Sequence, residues 1–303
     1  MSRIVILITI AVILSPLAFA CEMKLSERAP TVSGYFADGQ DCLDSPPGTF
    51  RFDEFIEQRF MAEINRERTE RGLSRLAARL DMRPAARFHS LDMGVNNYFG
   101  HSSPHGRIHA DRLAAFDRTL LAEGSAENLA QFGPARCVDQ FNIEVSCGLV
   151  PNFRPPSEDM VVSDLHQKLM DSPGHRDNIL DPEMTHMAIG VARTDTGFYV
   201  TQLFANQLGI LAEPAPLTVE AGETLEAEAS IPNWSVAGLA LSVNEEIMDL
   251  RKGKVPAKFS GDFGLSIRAE TTQEFEERRS KRTVTTWIYA AGPTIEVVAP
   301  TGS

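Results

Sequence analysis

The sequence predicts an α+β protein whose helices come first and whose strands dominate the last third of the chain. Apolar residues between positions 52 and 64 recur at helical spacing. Two strand-like runs, "MAIGVART" and "GFYVTQLF", are separated by Asp195-Thr196-Gly197, which is a hairpin signal. After residue 211, several short runs alternate apolar and polar residues. We therefore predict one α+β domain over residues 51–210 and a small all-β, sandwich-like domain over residues 211–303.

Residues 1–20 have the composition of a signal peptide. Arg3 precedes the apolar run Ile4–Leu14, and Ala18–Ala20 fits a small-residue cleavage site. The run is too short to cross a bilayer comfortably, so we prefer export over a retained N-terminal anchor. Cys21 resembles the lipid-attachment residue of bacterial lipoproteins, but Ala18 stands where those proteins usually carry Leu, so lipid anchoring is kept as the alternative. The expected location is secreted, periplasmic or cell-envelope.

The composition restricts the class of partner. The formal net charge is −12, whereas binding to phosphate backbones needs a basic face, so we expect no nucleic-acid partner. The hydrophobic content of 43% allows at least one sizeable core. We expect the chain to act as a monomer.

The four cysteines indicate structural disulfide bonds, because export permits them. Cys137 and Cys147 close the short loop "CVDQFNIEVSC" and are the predicted pair. Cys42 can then pair with Cys21, unless Cys21 carries a lipid. The sequence alone does not choose among the three pairings that four cysteines allow.

Each element of the chain has its own local signal. Residues 21–50 are polar and without a clear period, so we expect a loosely packed N-terminal arm. Ser157 can cap a helix that runs to Asp171, with Glu158 and Asp159 in its first turn. The other segments are predicted helices at about 51–72, about 81–98 and "RIHADRLAAF", an irregular stretch at 133–157, and a linker, "LAEPAPLTVEAGE".

Three polar residues are candidates for a shared site. His175 follows a Ser-Pro-Gly turn in "MDSPGHRDNIL", His101 lies in "NNYFGHSSPHG", and Glu127 lies in the mostly small and apolar stretch "GSAENLAQFG". We place each residue at the end of an element, where side chains from distant parts of the chain can converge. We expect His175 to face His101 across a cleft, with Glu127 close enough to bond one of them.

These stretches together resemble the CAP superfamily, also called the SCP-like domain, in its bacterial form. The matching motifs include "EINRERTERGLSRLAARLD", "AARFHSLDM" and "YFGHSSPHG", followed by "AENLAQFG", "LMDSPGHRDNIL" and "GFYVTQLFA". They cover roughly residues 53–207. The resemblance implies an α-β-α sandwich with a cleft tetrad of two His and two acids. His101, Glu127 and His175 match three members, and Ser172 stands where the second acid would be.

The candidate residues allow several functions. Two imidazoles and one carboxylate are ordinary ligands of zinc or another divalent cation, and a catalytic zinc site typically has three protein ligands. The resemblance implies a non-enzymatic protein that binds a lipid, a cell-envelope component or another protein. The alternative is a zinc-dependent hydrolase of the peptidase or esterase type in the same cleft. A third possibility is a purely structural polar network.

Overall fold

The structure is a computed structural model. It describes residues 31–133, 157–195, 197–244, 246–277 and 280–300, together with the short strands at 137–138 and 144–145. Within these ranges, no helix is long and apolar enough to cross a membrane. The predicted signal peptide, Cys21 and the Cys137–Cys147 disulfide bond depend on residues outside the described part of the chain, and they stay predictions.

Within the described residues, the α-helices lie before residue 181. Their bounds are α1 Val32–Asp44, α2 Glu54–Glu70, α3 Arg83–Val95, α4 His109–Phe116, α5 Glu158–Asp171 and α6 Pro173–Leu180. As predicted, α5 begins directly after Ser157, whose side chain accepts a hydrogen bond from the backbone N–H of Met160.

The first long strand of the sheet, β3, was not predicted from the sequence. The strands are β1 Arg51–Phe52, β2 Ala77–Ala78, β3 Leu120–Phe132, β4 Cys137–Val138, β5 Glu144–Val145, β6 His186–Arg193, β7 Phe198–Leu211, β8 Thr218–Glu220, β9 Ala229–Ser230, β10 Ser235–Val243, β11 Glu246–Asp249, β12 Gly261–Glu277 and β13 Ser280–Val298. The β6–β7 hairpin is the one indicated by its turn residues.

Helix α1 overturns the prediction of a loosely packed arm for residues 32–44. Val32, Tyr35, Gly39 and Cys42 are buried at helical spacing. The helical spacing is not apparent from apolar residues alone, because this face also carries small and polar residues. Gly39 is needed there, because an added Cβ would lie 2.3 Å from a ring atom of Phe116.

Helices cover both faces of the sheet formed by β6, β7 and β3. Alternate residues of β6 enter opposite cores, because successive strand residues point to opposite faces. Met187, Ile189 and Val191 pack with α2, α5 and α6. Ala188 and Ala192 pack on the other face with α1, α3 and α4. The result is a helix–sheet–helix arrangement that holds Glu127, on β3, in its middle layer.

The strands after residue 211 continue this sheet. Among the described residues the strand order is β1-β6-β7-β3-β13-β12-β10-β11, and β13 meets β3 through the single pair Ala291–Ala122. The predicted separate sandwich is therefore not seen. The hydrophobic cluster around Leu241, Leu265 and Ile295 also includes Leu121 of β3. Alternation along a strand fixes its buried face but does not specify which edge it pairs with.

Helix α1 also contacts the C-terminal strands. The backbone N–H of Val32 donates to both carboxylate oxygens of Asp262, on β12, at 3.0 and 2.9 Å. Ser33 donates a hydrogen bond to Glu296, on β13. The helix therefore joins the N-terminal and C-terminal parts of the chain beside the narrow β3–β13 contact.

Candidate functional site

The centre of the candidate site is the side chain of Glu127, which lies in the middle of β3 and not at the end of an element as the sequence suggested. Its Oε1 accepts a hydrogen bond from Nδ1 of His101 at 2.9 Å. Its Oε2 accepts one from Nη2 of Arg112, on α4, at 2.6 Å. The side chains of Glu127 and Arg112 are each 1% exposed, whereas that of His101 is 54% exposed. The site thus joins an accessible imidazole to a buried ion pair.

Arg112 fixes the backbone around His101 as well. Its guanidinium donates to the carbonyl of His101 at 3.0 Å and to the carbonyl of Arg107 at 2.7 Å. A guanidinium is planar, so donors that point in several fixed directions can hold several acceptors at once. One buried residue therefore fixes the position of the loop that carries His101 and the position of the carboxylate that bonds the His101 ring.

His89 supports the same loop from inside the core. Its side chain is fully buried, and Nε2 donates to the carbonyl of Gly100 at 3.1 Å. Burial lowers the pKa of His89 to about 2, and the charge of Arg112 contributes in the same direction. A neutral His89 is thus a fixed donor next to His101.

His175 lies in the first turn of α6, after Pro173 at the start of the helix. Its carbonyl accepts a hydrogen bond from Asn128 at 3.0 Å, and Asn178 donates to the side-chain oxygen of Asn128 at 2.9 Å. Burial lowers the pKa of His175, and the nearby charge of His101 lowers it further. None of the described hydrogen bonds joins the His175 ring to His101 or Glu127.

Ser172 has a different role. It is the residue between α5 and α6, and its backbone N–H bonds to the carbonyls of Lys168 and Leu169. Its side chain makes no capping bond. Among the described contacts, none joins Ser172 to the polar groups around Glu127. Ser172, which stands where the second acid was expected, is therefore not part of this polar cluster.

The predicted three-ligand metal set does not fit this geometry. Among the described residues, no group of three His, Cys, Asp or Glu side chains could hold one ion. Both oxygens of Glu127 are already bonded, one of them to the permanent cation Arg112. A carboxylate bonded to the second nitrogen of a His commonly orients a metal ligand without being one. A site made by His101 and His175 alone has fewer protein ligands than a catalytic zinc centre.

One cavity among the described residues lies away from the histidines. It has a volume of about 720 Å³ and is bordered by residues from α3, α5, the end of β3 and the β6–β7 hairpin, among them Phe132, Leu165 and Tyr199. His101, Glu127 and His175 do not line it. We therefore define the candidate site by the hydrogen-bonded cluster around Glu127 and not by this cavity.

Sequence reasoning missed Arg112, Asn128 and Asn178. Asn128 follows Glu127 directly, so two successive strand residues take part in the polar network from opposite faces. Asn178 falls three residues after His175 on α6. Arg112 carries no such signal, because a single arginine in a short amphipathic helix is usually exposed.

Comparisons with known proteins agree with this arrangement of motifs. The profile of the cysteine-rich secretory protein family (CAP) matches residues 61–204. The uncharacterized protein YkwD of Bacillus subtilis (strain 168) is 30% identical over 185 residues, which are 61% of this chain and 58% of that protein. The chain thus spans less than two thirds of the length of this relative.

Two solved structures match part of this chain. An extracellular protein containing an SCP domain, from Bacillus anthracis str. Ames, is 26% identical with a TM-score of 0.37, covering 50% of this chain and 40% of that one. An outer surface protein from Borrelia burgdorferi is 14% identical with a TM-score of 0.38, covering 52% of this chain and 98% of that one. Residues 61–204 of this chain thus match the CAP family model, and they carry the motifs in the order that the sequence resemblance implies.

Proposed function

We propose that this chain is an exported CAP-domain protein that binds a cell-envelope ligand through the cleft at His101 and His175 and does no chemistry on it. The observation that carries the proposal is the arrangement of Glu127. Its two oxygens are occupied by His101 and Arg112, so the carboxylate is a fixed support for an accessible imidazole. A fixed, half-exposed polar group at the edge of a buried network is suited to recognition.

Export and location belong to the same proposal. A signal peptide at residues 1–20 would direct the chain to the envelope, with lipid attachment at Cys21 as the alternative. A lipid, an envelope polymer or another protein are the ligand classes that the CAP resemblance offers. The strands of residues 211–303 would serve a monomeric protein as a spacer or second binding surface. Most of their buried apolar residues form one hydrophobic cluster, which also includes Leu121 of β3 and Leu211 of β7.

Binding can be tested with mature protein and three defined probes: insoluble peptidoglycan, phosphatidylglycerol vesicles and a set of secreted proteins from the same cells. We expect co-sedimentation or capture with one probe, and at least a tenfold loss of affinity in His101→Ala and His175→Ala. His105→Ala is the matched control. Equal binding by wild type and both cleft variants would contradict a role for the cleft.

Hydrolysis is the second candidate, because His101 bonded to a carboxylate is also the arrangement of a general base. Against it, none of the described hydrogen bonds joins the His101 ring to a serine, threonine or cysteine. A panel of peptides and esters tests it: turnover above background that is lost in Glu127→Ala would favour the enzyme. Equilibrium dialysis with zinc tests the remaining prediction of a divalent ion at His101 and His175.

A further inference from the structure

The contacts of Arg112 determine more than the shape of the site. We propose that Arg112 is a positioning residue that acts through Glu127 to hold His101 in one tautomer, with Nδ1 protonated and Nε2 presented to the cleft as a hydrogen-bond acceptor. This inference concerns the cleft of the proposed function, but it does not rest on ligand binding and is tested without a ligand.

The first step is the charge of the Glu127 side chain. The guanidinium of Arg112 stays protonated in proteins and can only donate. Its Nη2 lies 2.6 Å from Oε2, and both side chains are 1% exposed. The two side chains form a buried salt bridge, in which the carboxylate carries the charge opposite to that of the guanidinium. Glu127 is therefore an acceptor at both oxygens.

The second step is the proton of His101. An ionised carboxylate has no hydrogen to give, so the bond of 2.9 Å between Oε1 and Nδ1 requires the proton on Nδ1. In a neutral imidazole the other nitrogen is then an acceptor. The side chain of His101 is 54% exposed, and Nε2 has no protein partner among the described contacts.

The third step is rigidity. Arg112 also bonds the carbonyl of His101 at 3.0 Å, so the same guanidinium holds the backbone of the residue whose ring it orients through Glu127. His89 holds the preceding carbonyl, that of Gly100, at 3.1 Å. The ring thus has two backbone supports and one side-chain support, and moving its proton from Nδ1 to Nε2 would break the bond to Glu127.

A fixed acceptor selects a class of ligand. A hydroxyl or an amine N–H can donate to Nε2, whereas a carboxylate or a carbonyl would place lone pair against lone pair. We therefore expect the ligand group that meets His101 to be an alcohol or an amine. This preference belongs to the pH range in which the ring is neutral, because the doubly protonated ring has donors at both nitrogens.

The test is ¹⁵N NMR of the imidazole nitrogens at pH 8, with the His101 signals assigned by their loss in His101→Gln. We expect wild-type protein to show a protonated Nδ1 and an unprotonated Nε2. In Glu127→Ala and Arg112→Met the Nδ1 signal should shift toward the unprotonated position, because both tautomers become populated. Arg112→Lys keeps the charge and should retain the wild-type spectrum, and Arg51→Met is the surface control.

Several results would overturn the inference. One is a wild-type spectrum with the proton on Nε2 or averaged between the nitrogens. Another is a Glu127→Ala spectrum identical to wild type. If Arg112→Met does not fold, the comparison of the wild-type and Glu127→Ala spectra still tests whether Glu127 fixes the tautomer of His101. A protein that shows the expected tautomer but binds none of the envelope probes would contradict the proposed function and leave this inference standing.

Discussion

At the scale of single residues, Asn128 connects segments of the site that are far apart in the sequence. It is fully buried on β3. Its side-chain amide donates to the carbonyl of His175 at 3.0 Å and to Oε1 of Gln202 at 3.2 Å, and its oxygen accepts from Asn178 at 2.9 Å. An amide has both donors and an acceptor, so one side chain can join helix α6 to two strands.

Replacing Asn128 by Ala should therefore destabilise the protein and loosen α6. The variant leaves the carbonyl of His175 and the amide of Asn178 without this partner, so we expect a loss of about 1–3 kcal/mol in the free energy of unfolding. Urea unfolding measures it. Asn206→Ala is the control, because Asn206 bonds only the exposed side chain of Glu123 among the described hydrogen bonds. Equal stabilities of the two variants would show that the network carries little energy.

At the scale of elements, α1 depends on a carboxylate from the other end of the chain. Asp262 accepts the N–H of Val32 with both oxygens. A negative charge at a helix N-terminus satisfies unpaired N–H groups and interacts favourably with the helix dipole. The helix in turn covers Phe88 and Phe116 with the ring of Tyr35, at centroid distances of 5.3 and 5.7 Å.

Asp262→Ala should release the start of α1 from the C-terminal strands. We expect a loss of about 1 kcal/mol in the free energy of unfolding, typical of a helix cap, together with faster cleavage in residues 31–44 by chymotrypsin, which can cut after Tyr35 and Phe36. Asp195→Ala is the matched control, because the ion pair described for Asp195 is an exposed one with Arg51. Unchanged protease resistance in Asp262→Ala would mean that apolar packing alone holds α1 in place.

At the scale of the whole molecule, buried histidines should make the protein sensitive to acid. Burial lowers the pKa of His89, His166 and His175. Below the unfolded value of about 6.5 the unfolded chain binds protons that the folded chain does not, so stability falls as the pH falls. Glu57 and Asp92 have raised pKa values, again mainly from burial, and act in the opposite direction at lower pH.

His89 should dominate this effect, since its pKa is lowered to about 2. Between pH 7.5 and 5.5 it should contribute a loss of about 1 kcal/mol in unfolding free energy. Urea unfolding at both pH values measures the loss, and His89→Gln, which can still donate to Gly100, should reduce it. His105→Gln is the control. An unchanged pH dependence in His89→Gln would assign acid sensitivity to other groups.

The sequence by itself determined the elements whose signals are local. Helical spacing indicated α2, Ser157 marked the start of α5, and the turn at residues 195–197 indicated the β6–β7 hairpin. The order of the motifs indicated a resemblance to the CAP superfamily and directed attention to His101, Glu127 and His175. These features depend on residues within a few turns of one another, where propensity, capping and periodicity act directly.

Only the tertiary structure decided the features that depend on distant parts of the chain. Helix α1 forms where its polar sequence finds a partner in Asp262 and a core at Phe116. The C-terminal strands join the first sheet because β13 meets β3, which no alternation pattern specifies. Arg112 donates hydrogen bonds both to the carboxylate of Glu127 and to the loop carbonyl of His101, because α4 and β3 pack side by side. Pairing of edges and burial of charge are set by three-dimensional contacts, so one-dimensional periodicity does not contain them.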